Sequence, residues 1–152
     1  VPETPVNAVP PSAWARCGLR FVVGIDPHDV IPALRRHLDR HGFPMVEIVT
    51  PGTERFGATR LDPDDAWVQF TIDSIAKSTG KKPALLPNLG GSLPNDIFAE
   101  VLKLRTIWVP HSYPGCQQHA PDEHLPVAIA REGLTAMAGL YWDIGTGDAP
   151  AL

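Results

Sequence analysis

The chain has 152 residues, of which 43% are hydrophobic and 20% charged, and its net charge is -4. That balance suits a globular protein with a buried core, and the dispersed Lys and Arg residues exclude a phosphate-binding, nucleic-acid surface. No apolar run approaches the roughly 20 residues that span a bilayer, so a membrane partner is excluded as well.

Val1-Pro2-Glu3-Thr4-Pro5 is a Pro-rich opening without Met, so the chain reads as a piece of something longer. From Ala13 to Gly24 an alternating-to-apolar run predicts a strand. Asp26-Pro27 then supplies a cap and a first-turn proline. Val30, Ile31, Leu34 and Leu38 recur on one face, and Gly42 ends the predicted helix. Arg35-Arg36-His37 with Arg40 forms its solvated face. A second strand is expected over Met45–Val49, and strand, helix, strand is half of a ferredoxin-like α+β unit.

Thr50–Arg60, with Pro51, Gly52 and Gly57, reads as a linker and divides the chain into segments 1–55 and 56–152. Asp62-Pro63 repeats the cap-and-proline start. Trp67, Phe70, Ser74 and Ile75 predict a helix that stops at Gly80. Residues 83–88 predict a strand, Leu93–Leu104 a helix opened by Ser92 and Pro94, Thr106–Pro110 a strand, and Glu123–Trp142 a final helix. Helices alternating with short apolar strands predict an α/β layer with its ligand near the strand ends. Trp67, Phe70, Trp108 and Trp142 read as core. Cys17 and Cys116 form no C-x-x-C pair, which fits reduced thiols in a cytoplasmic protein.

Three motifs carry chemistry. Gln118-His119-Ala120-Pro121-Asp122-Glu123 places a histidine at an acid-rich helix start, where a ring nitrogen can meet a metal and the acids can orient it or cap the helix. Gly90-Gly91-Ser92-Leu93-Pro94 is a turn whose free backbone N–H groups can receive a carboxylate. Asn7-Ala8-Val9-Pro10 precedes Arg20, whose guanidinium can clamp a carboxylate bidentately. Each has a plainer reading: a surface histidine, a tight turn capped by Ser92, a surface ion pair for Arg20, and a turn asparagine at Asn7. His37-Leu38-Asp39 has the form H-x-D but lies inside the amphipathic helix, so it reads as a solvated helix segment. His111, beside Ser112-Tyr113, is placed to line a cleft.

In order and spacing, these motifs resemble the C-terminal portion of the M20 family of zinc peptidases and amidohydrolases. That family includes succinyl-diaminopimelate desuccinylase, acetylornithine deacetylase and carnosinase-type dipeptidases. The resemblance covers nearly the whole chain. It implies that residues 1–55 end a ferredoxin-like lid that dimerises, and that residues 56–152 are the returning α/β segment of the catalytic domain. It further implies two zinc ions (cobalt or manganese being alternatives), with His119 as a ligand. Gly90, Gly91 and Ser92 would bind the substrate carboxylate, and Asn7 and Arg20 would arrive from the lid. The expected substrate is a small peptide or N-acyl amino acid. The family's catalytic base is the first glutamate of a Glu-Glu pair, and this chain contains none; alone, it is therefore expected to be inactive. The competing expectation is a non-catalytic module that binds a small molecule or dimerises.

Overall fold

The computed structural model describes residues 9, 11–50, 56–91, 93–147 and 149–151. Its elements, in chain order, are α1 (Val30–Arg40), α2 (Ala66–Thr79), a π-helical turn (Ile97–Val101), a 3-10 turn (Pro114–Cys116) and α3 (Val127–Gly145). No described residue lies in a strand. The expected α/β architecture, with its ferredoxin-like lid and returning α/β segment, is therefore corrected to a helical one.

The physical reason is that pairing is not local. A run such as Ala84-Leu85-Leu86 or Ile107-Trp108-Val109 records a preference for burial, but a strand exists only when a second extended segment lies alongside in register. Both runs are drawn out here without such a neighbour. Among the described residues, no backbone-to-backbone hydrogen bond involves residues 83–91 or 105–112.

Helix α1 starts later than the cap-and-proline pattern implies. The Asp26 carboxylate accepts from the His28 N–H at 2.8 Å and its carbonyl accepts from Asp29 N at 3.2 Å, so Asp26-Pro27 forms a turn ahead of the helix. Gly42 then turns the chain at a φ of 82°. Arg35 folds the exit back by donating to the carbonyls of Val46 at 2.6 Å and Phe43 at 3.0 Å, and it pairs with Asp39 at 2.8 Å. No residue of α1 is buried.

Helix α2 behaves similarly at its start. Asp62 closes a turn onto Asp64 N at 2.9 Å, and Asp65 is the actual cap, its carboxylate accepting from Trp67 N at 2.8 Å. Gly80, at a φ of 70°, ends the helix in the left-handed conformation that glycine adopts without penalty. Helix α3 begins at Val127, after Pro126, and not at Glu123. The expected helix over Leu93–Leu104 shrinks to one turn with a π-helical stretch.

Of the helices, only α2 and α3 pack against one another. Small residues let them approach closely: a Cβ on Gly139 would overlap Ser78 Oγ and come within 2.6 Å of its Cβ. Between the two helices, Asp143 is buried and receives Lys77 Nζ at 2.8 Å. That hydrogen bond, helped by the Ser74 hydroxyl, holds the Asp143 carboxyl below its ordinary value of 3.8. Ser74 Oγ itself falls short of ordinary hydrogen-bond geometry, so Lys77 carries the interaction.

The buried apolar residues among those described are Val68, Cys116 and Ala136. Trp67 and Phe70 meet edge to face at 5.8 Å in the half-buried layer. Trp108 and Trp142 are exposed, the latter by 72%, which corrects their reading as core. Among the described residues, Val127, Leu134 and Tyr141, on α3 with Trp142, are exposed as well. Helical packing alone leaves most of the apolar side chains wet.

Candidate functional site

The Gly90–Gly91 turn is the point where distant parts of the chain meet. Arg20, carried on the extended segment before α1, donates through Nη1 to the Gly90 carbonyl, 70 residues away in sequence. Among the described residues, Arg20 makes no ion pair, and its guanidinium keeps further N–H donors beside the turn. Two of the residues singled out from sequence thus share one location.

Behind the turn lies a polar network. The Trp108 indole packs on Gly91 so closely that a Cβ there would sit 2.9 Å from the ring, which is why this position takes glycine. Trp108 Nε1 donates to Asn95 Oδ1 at 3.4 Å. Asn95 Nδ2 in turn donates to Thr59 Oγ1 at 2.6 Å and to Thr106 Oγ1 at 3.1 Å. Next to it, Asp96 accepts from Gly57 N at 2.8 Å and from Ile97 N at 3.1 Å, tying the linker's end to the helical turn. The sequence places Asn95 only as a cap or a solvent-facing residue. The structure instead makes it the junction of Thr59, Thr106 and Trp108, and no periodicity in the chain marks those four positions as neighbours.

His119 lies elsewhere, on an exposed loop. Gln117, His119 and Asp122 all adopt left-handed backbone, with φ values of 54°, 63° and 65°. The Glu123 carboxylate accepts from the His119 backbone N–H at 3.3 Å, and Asp122 offers its carbonyl to His124 Nδ1 at 2.8 Å. These acids shape a turn and do not cap α3, which begins four residues beyond Glu123. Among the described residues, no three His, Cys, Asp or Glu side chains gather at metal-ligand spacing. His119 by itself does not constitute a metal site, because zinc needs three or four protein ligands.

Asn7, Pro10 and Ser92 lie outside the described residues. Gly90 and Gly91 do not open a long helix, so the carboxylate-binding expectation rests on their N–H groups and on Arg20, without the help of a helix dipole. His111 lines a cavity of about 370 Å³ bounded by α2, α3 and the two extended apolar segments. There its Nδ1 abuts Gly133, where a Cβ would come within 2.7 Å. Among the described residues no helix is long and apolar enough to cross a membrane. No family model matches the chain, and no curated protein or solved structure matches it.

Proposed function

We propose that the chain is part of an M20-type, metal-dependent hydrolase acting on a peptide or amide bond of a small substrate with a free carboxylate, and that it is inactive alone. The observation that supports this reading is the Arg20 guanidinium held at the Gly90 carbonyl with its other donors free beside the glycine turn. A planar fork next to free backbone N–H groups suits a carboxylate, which accepts two parallel hydrogen bonds. Asn7 would steady the substrate carbonyl or its oxyanion, and Ser92 would add a hydroxyl to the turn; both assignments rest on the sequence motifs. His119 would serve as one zinc ligand only in company with ligands, and a glutamate base, from outside these residues. A reduced, cytoplasmic setting suits the free thiols of exposed Cys17 and buried Cys116.

Titration with N-acetylglycine, followed by the amide resonances of Gly90 and Gly91, tests the reading. Saturable shifts are expected, weakened about tenfold or more by Arg20→Ala, the cost of losing a charge-assisted pair. No shifts in the wild-type chain would remove the carboxylate site. Metal-dependent hydrolysis by the chain alone, unchanged by His119→Ala, would overturn the assignment of both inactivity and ligand.

A second reading, a non-catalytic binding or dimerisation module, is favoured by the exposed apolar side chains of α3, among them Val127, Leu134, Tyr141 and Trp142. Apolar side chains left in water favour burial against another polypeptide. Sedimentation across a concentration series tests the dimerisation that this reading proposes. A monomer at every concentration would count against the module.

A further inference from the structure

We propose that Asn95 is a positioning residue for the Gly90–Gly91 turn and that it acts through Trp108; the inference rests on the reading of that turn as a carboxylate site. A glycine turn is a poor binding element on its own, since its backbone visits many conformations and each must be given up on binding. Here the freedom is restricted from one side. The far edge of the Trp108 ring, Cζ3 and Cη2, lies close enough to Gly91 to exclude a Cβ, so the ring limits the positions open to the Gly91 backbone.

The ring in turn has one polar anchor among the described residues, the Nε1–H donated to Asn95 Oδ1. Asn95 cannot rotate to release it without giving up both donations from Nδ2, to Thr59 and Thr106. Those two threonines come from separate extended stretches, one before α2 and one after the π-helical turn. A single half-buried amide therefore fixes the orientation of an indole whose far edge supports the turn, while Arg20 holds the same turn from its carbonyl side. The amide is matched to the task, because it offers one acceptor for the indole and two donors for the hydroxyls.

The test uses the full chain and two independent readouts. The first is the ring-current shift that Trp108 imposes on the Gly91 Hα protons. The second is N-acetylglycine affinity from the Gly90 and Gly91 amides. Asn95→Ala is expected to abolish the ring-current shift and weaken binding about tenfold, the loss of roughly one well-made hydrogen bond. Asn95→Asp is expected to restore both, since a carboxylate still accepts from the indole and from both hydroxyls. Wild-type affinity together with an unchanged Gly91 Hα shift in Asn95→Ala overturns the proposal.

If the wild-type chain does not bind N-acetylglycine, the carboxylate reading fails. The Gly91 Hα shift still decides whether Asn95 sets the turn. Should Asn95→Ala unfold, 3-benzothienylalanine in place of Trp108 keeps a bicyclic ring of the same shape and removes only the Nε1–H. An undiminished Gly91 Hα shift and affinity in that variant would equally overturn the role given to the Asn95–Trp108 bond.

Discussion

Helix α1 is the most strongly amphipathic of the described helices and α2 and α3 are more evenly apolar, yet only the α2–α3 pair acquires tertiary burial. In the pair, Val68, Thr71 and Ser74 of α2 and Gly133, Ala136 and Asp143 of α3 are buried, and Gly139 abuts Ser78. Small side chains let the backbones approach, and Lys77–Asp143 spans the seam with Lys81–Glu132 beside it at the exit of α2. Around α1, the ordering contacts are short in range: Arg36 reaches Asp29 at 2.9 Å, and Arg35 reaches the turn that follows its own helix. The difference teaches that an apolar stripe does not by itself produce a core. A facing surface with room for it does; among the described residues, Leu19 and Ile25 line a shallow groove with Val30 and Ala33 of α1.

The comparison can be broken most forcefully at Gly139. Replacing it with Ala drives a methyl into Ser78. An overlap this severe stands at the upper end of the overpacking range, about 2–3 kcal/mol, and the better helix propensity of Ala returns about 1 kcal/mol. Urea unfolding followed by circular dichroism should show a net loss of about 1–2 kcal/mol. An unchanged midpoint would mean that the two helices do not approach as described.

Acid should act on the same pair. The Asp143 carboxyl has a folded-state pKa below 3.8, so its contribution is fully present above that value and is lost as pH falls through the lower, folded-state value. Thermal stability measured between pH 5 and pH 2 should therefore decline at the acidic end. Asp143→Asn should flatten part of that decline; an identical pH profile would detach Asp143 from it.

A smaller effect is expected at the entrance to α2. Asp65 caps the helix through Trp67 N and also accepts from Arg105 Nε at 3.1 Å. The backbone bond from Trp67, followed by Arg105, lowers its carboxyl pKa. Asp65→Ala should lower the melting temperature by a few degrees, and Asp65→Asn, which keeps the cap, by less. Equal losses in the two variants would assign the effect to Arg105 instead of the cap.

The smallest change belongs to α1. Arg36→Ala removes an exposed pair with Asp29 and should shift stability by no more than about 0.5 kcal/mol. A loss of several times that would show that α1 is integrated into the fold far more tightly than its exposure indicates.

These regions also show what was legible before the structure. The cores of α1, α2 and α3 were readable because helical period is local, and Gly42 and Gly80 mark true exits. Their starts were misplaced by the same device twice, since Asp26-Pro27 and Asp62-Pro63 build turns that precede the helix. The strands expected at 83–88 and 106–110 do not form, because apolar runs specify burial without specifying a pairing partner. At the candidate site, Arg20 and the glycine pair were marked by residue type and motif order. Asn95 was not, because its importance lies in joining Thr59, Thr106 and Trp108, and such a junction exists only once the chain is folded.

The unequal exposure of the two thiols gives the chain a built-in reporter. Cys116 is sealed beneath the 3-10 turn, whereas Cys17 stands in solvent three residues ahead of Arg20. A maleimide dye or nitroxide offered to the folded protein will therefore mark one position. That position rides on the strand of chain whose guanidinium grips Gly90, so probe mobility becomes a direct gauge of whether the grip is closed or released.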